Sequence, residues 1–182
     1  MRIISGHCKG RKLVTLTGRQ IRPTSDRTRE AVFNILGQKV KQAKVLDLFA
    51  GTGAMGLEAL SRGADHTTFI DLACGIIHQN LKRCRLEDKS TVICCNILTD
   101  FLPGRLKGQR FDLVFIDPPY GKGYIEQTLE QASFADLINE NGIIIAEQAC
   151  KESLNISCPP LGIYRQKKYS KTMISFITNL TK

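Results

Sequence analysis

A doubly wound α/β fold on a mostly parallel, seven-stranded sheet is what this chain of 182 residues predicts. Three observations carry that expectation. From Lys44 onward, short β-prone runs alternate with helical stretches, the pattern of a parallel sheet covered on both faces. A glycine-rich turn, Gly51-Thr52-Gly53-Ala54-Met55-Gly56, joins the first of those runs to its helix. The last stretch breaks the alternation with two successive β-prone runs, which predicts a C-terminal antiparallel hairpin on the sheet edge.

The elements follow in order. Arg2-Ile3-Ile4-Ser5 and Arg11-Lys12-Leu13-Val14-Thr15-Leu16 are β-prone runs around a turn from Gly6 to Gly10, so residues 2–16 read as an N-terminal β-hairpin arm. Residues 18–24 form a loop in which Pro23 holds Arg22 extended. Ser25 suits an N-cap and Asp26 the first turn of a helix whose apolar face is Ala31, Val32, Ile35 and Leu36. Arg27 and Arg29 fall away from the centre of that face, and Gly37 weakens or ends the helix. Residues 45–49 are the first strand of the alternating pattern, and 54–62 its helix, stopped by Gly63. Strands are expected at 66–71, 91–95, 111–116 and 142–147, with helices at 73–86 and 124–138. The closing hairpin pairs 162–168 with 172–178.

Composition narrows the class. Apolar content is 42%, ordinary for a soluble globular chain. No run approaches the ~20 apolar residues of a membrane helix. The first residues lack a signal-peptide core, so the cytoplasm is the expected compartment. Seven cysteines are scattered, odd in number and without a C-x-x-C, and the three histidines make no spaced pair with them. Reduced thiols acting as small apolar fillers are expected, with neither a disulfide framework nor a metal site.

Charge is polarised. Residues 1–44 hold eleven basic and two acidic side chains, so the whole net charge of +9 lies there; the rest balances fifteen against fifteen. A polyanion-docking surface on a neutral core fits that distribution, against the blander reading of a solvated basic face.

Two motifs carry chemistry. In the glycine turn, Gly51, Gly53 and Gly56 let the backbone turn sharply and approach a ligand. A G-x-G-x-x-G alone does not separate a dinucleotide from another adenosine-bearing cofactor. Asp47, four residues earlier, favours a donor with a cationic amino-acid tail such as S-adenosylmethionine, since a carboxylate there would crowd a pyrophosphate. Asp71, ending the second strand, suits ribose hydroxyls, with a helix cap as its bland alternative. The second motif is Asp117-Pro118-Pro119-Tyr120, directly after the apolar run 111–116. Two prolines remove two backbone donors and leave carbonyl acceptors beside an aromatic ring. Such a cluster suits a planar base with an exocyclic amine.

With these motifs placed, the chain resembles the class I S-adenosylmethionine-dependent methyltransferases, and more narrowly the bacterial small-subunit rRNA guanine-N2 methyltransferase family. The resemblance rests on residues 1–6 and 9–13, on Arg22-Pro23-Thr24-Ser25-Asp26-Arg27-Thr28-Arg29-Glu30, on Leu46-Asp47-Leu48-Phe49-Ala50-Gly51-Thr52-Gly53, and on Asp117–Tyr120. It implies a Rossmann-like sheet, with residues 1–40 as a basic arm and 41–182 as the methyltransferase domain. Asp47, Phe49, Gly51, Gly53, Gly56, Asp71 and Asn96 would bind the cofactor S-adenosyl-L-methionine. Asp117, Pro118, Pro119 and Tyr120 would be catalytic, with no metal. Asn96 stands where many relatives carry an acid, and Leu72-Ala73-Cys74-Gly75 lacks the expected charges. Arg11, Lys12, Arg22, Arg27 and Arg29 would grip rRNA phosphates, extended by Arg165, Lys167, Lys168 and Lys171. The implied substrate is small-subunit rRNA within an assembled or assembling 30S particle, met by a monomer. Three rivals remain open at this point: a DNA adenine-N6 methyltransferase, a nucleotide-binding dehydrogenase, and a non-catalytic RNA-binding assembly factor.

Overall fold

The computed structural model describes residues 1–15, 25–100, 102–131 and 133–180. Leu16 and the expected loop at 18–24, with Arg22 and Pro23, lie outside the described residues. The chain divides into two compact units, Met1–Cys95 and Asn96–Lys182. The expected 1–40 and 41–182 division was drawn from charge and motif and concerns polyanion docking; the compact units divide elsewhere.

In the first unit, Ser25 caps α1 (Asp26–Leu36) by accepting from Thr28 N, and Gly37 closes it at φ +53°. Strand β1 (Lys44–Leu48) leads into α2 (Ala54–Ser61), β2 (His66–Asp71), α3 (Cys74–Cys84) and β3 (Ser90–Cys94). β1 pairs with β2 and β2 with β3, all parallel. Val45, Leu46, Leu48, Phe69 and Ile70 are fully buried, as strands covered on both faces require.

In the second unit, α4 (Leu102–Arg105) precedes β4 (Phe111–Ile116), which pairs parallel with β5 (Ile138–Ala149). Between them lies α5 (Tyr124–Leu129). β6 (Leu161–Tyr169) and β7 (Thr172–Asn179) form the expected antiparallel hairpin, with β7 also antiparallel to β5. The strands run in the order β3-β2-β1 within the first unit and β4-β5-β7-β6 within the second, seven among the described residues. No helix is long and apolar enough to cross a membrane among the described residues.

Three expectations need correction. The arm has one antiparallel bridge, Arg2 to Lys12, rather than two paired strands. The backbone of residues 4–8 bonds to α2 instead of across a hairpin. Ile4 N and Ser5 N donate to Glu58, His7 N donates to Ser61 O, and Cys8 N donates to Ser61 Oγ. The helix expected at 124–138 stops at Leu129, because Ser133 takes a left-handed φ of +62° and residues 134–137 tighten into a 3-10 turn. β5 then begins at Ile138, not Gly142.

The third correction is chemical. Cys74 and Cys94 form a disulfide between the start of α3 and the end of β3, so this pair are not reduced fillers. The β2–β3 register sets Asp71 beside Cys94, which brings Cys74, three residues on, within reach. Cys8, Cys84 and Cys95 are buried thiols, as expected of apolar fillers.

Candidate active site

The glycine turn is built around two carboxylates. Asp47 Oδ2 accepts from Gly56 N at 2.9 Å, so the last residues of β1 hold the first turn of α2. Asp71 Oδ2 accepts from Gly51 N at 2.8 Å, and its Oδ1 accepts from Ala73 N at 2.7 Å. Asp71 therefore braces the glycine turn and closes a short Asx turn onto Ala73; it does not cap α3, whose N-cap is Ala73 without a side-chain bond. Phe49 adopts a left-handed φ of +56°, a strained state for a residue with a side chain and one that clusters at ligand-binding turns. Gly51 is left-handed too, and a Cβ there would point into open space, with only Phe49 O at 4.0 Å. Gly56 serves another purpose. A Cβ there would sit 2.3 Å from the Phe69 ring, so its absence sets how closely α2 lies on β2.

Burial shapes Asp47. Its side chain is 2% exposed, and desolvation pushes its carboxyl up to about 8. The Gly56 hydrogen bond opposes that rise and the nearby Asp71 charge adds to it. A carboxyl held this far above the usual range keeps its proton at neutral pH, and an arriving cation would have to displace it. Asn96 uses Oδ1 to accept from Leu98 N at 3.1 Å, a local turn that its second lone pair does not require.

The basic residues divide by environment. Lys12 and Arg27 are exposed, as a phosphate contact needs. Arg11 is half-buried and donates through Nη1 to Arg83 O near the end of α3. Arg29 is wholly buried, which corrects its place in an RNA-gripping set. Its guanidinium donates to Arg2 O at 2.6 Å and Asp26 Oδ1 at 3.0 Å, and lies 3.7 Å from Glu58 Oε2. On β6, Arg165, Lys167 and Lys168 are exposed beside Tyr164.

In the second unit, Asp117 leaves β4 half-buried, Pro118 is buried, and Pro119 and Tyr120 are exposed. Pro118, Pro119 and Tyr120 line a cavity of about 340 Å³, within the ~300–1,000 Å³ range of small-ligand sites. Glu147, Gln148 and Lys151 line it as well. Tyr120 Oη donates to Glu147 Oε1 at 2.7 Å and lies 3.3 Å from Thr172 Oγ1. Desolvation pushes the Tyr120 phenol above its ordinary range, so it keeps its proton and its donor role.

Sequence reasoning missed four structural residues. Glu58 and Ser61 anchor the arm, and nothing in an eight-residue helix of ordinary composition singles them out. Asn80 did leave a signal: it is a polar residue on the apolar face of α3 with Ile76, Ile77, Leu81 and Cys84. It is fully buried, exchanges bonds with Val14 N and O, and donates to Thr52 O at 2.9 Å. One side chain thus ties the arm to the glycine turn. Glu147, at the end of β5, holds Tyr120.

Residues 1–178 match the family described as conserved hypothetical protein 95. The chain is 35% identical over 150 residues to ribosomal RNA small subunit methyltransferase D of Haemophilus influenzae, covering 81% of this chain and 78% of that protein. It is 34% identical over 169 residues to the Escherichia coli protein of the same name, covering 92% and 84%. Among solved structures, it superposes on "Putative methyltransferase yhhF" from Escherichia coli with a TM-score of 0.85 at 30% identity, covering 100% and 99% of the two chains.

Proposed function

This chain belongs to the conserved hypothetical protein 95 family and to the family of ribosomal RNA small subunit methyltransferase D, and from that premise we propose that it methylates small-subunit rRNA, transferring a methyl group from S-adenosyl-L-methionine to the exocyclic N2 of a guanine. The observation that carries the reading is the cavity at Pro118, Pro119 and Tyr120, an acceptor-rich recess directly after a buried strand.

The glycine turn fits the donor. Gly51 leaves open space where a side chain would stand, and Asp47 offers a buried acceptor for an ammonium group. Oδ2 of Asp47 is held by Gly56 N, so Oδ1 would take the cation. Asp71 would meet ribose hydroxyls while keeping Gly51 in place, and Asn96 would receive the adenine amine. The bound donor would supply an electrophilic methyl on a sulfonium.

The remaining work falls to the protein's own groups. A guanine N2 is a poor nucleophile because its lone pair is delocalised into the ring. Transfer needs that nitrogen in line with the methyl at roughly 3–3.5 Å. Asp117 and the Pro118 carbonyl would accept the amine hydrogens, turn the lone pair toward the methyl and stabilise the positive charge that develops. Asp117 or water would take the released proton. Tyr120, its hydroxyl pinned by Glu147, would offer its ring as a stacking face for an extruded base. Lys12 and Arg27, with Arg165, Lys167 and Lys168, would hold phosphates.

The test is incubation with methyl-labelled S-adenosylmethionine and, separately, DNA, free rRNA and small-subunit particles lacking the modification, followed by mapping of the labelled nucleotide. Label on a guanine N2 in rRNA or particles is the expected result. Label only in DNA supports an adenine-N6 enzyme, and no label with no donor binding supports an assembly factor.

A further inference from the structure

We infer that Gln148 reads the target base: its side-chain Oε1 accepts the N1–H of guanine and so separates guanine from adenine. The inference rests on the proposed function and names a specificity residue within it. Gln148 lies near the end of β5, is 3% exposed, and lines the cavity beside the proline-rich turn. Its Nε2 donates to Glu152 O at 2.9 Å. That bond fixes which end of the amide is which, because a carbonyl accepts only from the nitrogen. Oε1 is left buried with no hydrogen-bond partner among the described residues. A buried acceptor without a donor is costly unless a ligand supplies one.

The chemistry of the wall then selects the base. Glu147, whose carboxylate already receives the Tyr120 hydroxyl, lies next to Gln148 in the strand and also lines the cavity. An ionised carboxylate only accepts, and so does the unbonded end of this amide. Guanine presents two adjacent donors on its Watson–Crick edge, N1–H and the N2 amine. Adenine presents one amine and, at N1, an acceptor. An adenine N1 facing Oε1 would set two lone pairs against each other. The Gln148 oxygen is thus a complement to guanine and a penalty against adenine, whereas the amine itself is common to both bases.

Replacing the target guanine by 2-aminopurine tests the contact. That base keeps the N2 amine and loses the N1 hydrogen together with O6, so it is the change of preference in a Gln148 variant that assigns the effect to Oε1. Small-subunit particles carrying guanine or 2-aminopurine at the mapped position are assayed with the intact protein and with Gln148→Leu, reading kcat/KM for methyl transfer and, separately, donor affinity. The intact protein is expected to favour guanine by about 10- to 100-fold. Gln148→Leu is expected to lose most of its activity on guanine, to favour guanine by no more than about 3-fold, and to bind the donor as the intact protein does. Equal rates on the two bases with the intact protein overturn the assignment, and that comparison needs no variant to fold. So does a Gln148→Leu protein that keeps the full preference. Label absent from guanine particles with the intact protein overturns the proposed function itself, and the assignment with it. Transfer to guanine without any Gln148 dependence leaves the function standing and removes only this residue from it.

Discussion

Replacing Asp47 with Asn is expected to stabilise the protein at neutral pH while weakening its grip on the donor. The carboxyl is buried, and its pKa is raised from 3.8 to about 8. Between those two values the folded protein keeps a proton that the unfolded chain has released. Stability therefore falls as pH rises through that window and is level below about 4 and above about 8. One pKa unit corresponds to about 1.4 kcal/mol, so by pH 7 the linked loss is on the order of 4 kcal/mol. Asn imitates the protonated form, keeps an oxygen for Gly56 N, and releases no proton on unfolding. Chemical denaturation at pH 5, 6, 7 and 8 without donor reads the effect. The variant's advantage should grow by about 1.4 kcal/mol per pH unit up to pH 7 and level off near pH 8. Calorimetry with S-adenosylmethionine should show weaker binding to the variant. In the intact protein, binding at pH 7 should release a proton, seen as a dependence of the heat on the buffer. A stability gap that stays constant from pH 5 to 8, or a variant less stable at pH 7, would refute the reasoning.

Four further outcomes are expected. Asp117→Ala should abolish methyl transfer and leave donor affinity near normal, measured by tritiated-methyl incorporation beside calorimetry; full activity removes the role. Glu58→Ala should cost roughly 3–5 kcal/mol in urea unfolding, because it takes one of two carboxylates from the buried Arg29, leaving Asp26, and strips the backbone N–H groups of Ile4 and Ser5 of their acceptor. Gly56→Ala should cost roughly 1–3 kcal/mol, since its methyl meets Phe69 and Thr67, and a neutral result would mean that α2 lifts off β2 freely. Exchanging Lys12 and Arg27 for Gln should lower the slope of log affinity against log salt by roughly 1–2 for RNA binding; an unchanged slope excludes these two as phosphate anchors.

What the sequence made legible follows from how local its signals are. Apolar runs and glycine breaks place β2 and β4 at their observed limits, and the cap is legible in Ser25 followed by Asp26. The glycine turn and the proline tetrapeptide announced themselves because their chemistry is written in consecutive positions. Contacts between distant positions left no such mark. The Cys74–Cys94 disulfide spans twenty residues without a spacing motif. Arg29 is expected from sequence to grip phosphates from the helix surface, yet it is buried against Glu58 on another helix. Charge counting treats all basic residues alike, and only packing separates the buried Arg29 from the exposed Arg27. Gln148 was hidden for the same reason: an amide at a strand end acquires meaning only from the cavity around it.

The bond set of Asn80 also dictates an order of events during synthesis. The arm emerges first, but its anchors arrive at Glu58, Ser61, Asn80 and Cys84. Until residue 84 has cleared the ribosome's exit, a cationic tail has no seat and the glycine turn has no strut. Such long sequence separations slow assembly relative to helical neighbours. A chain halted before Asn80 therefore carries the basic arm without the side chain that ties it to the glycine turn.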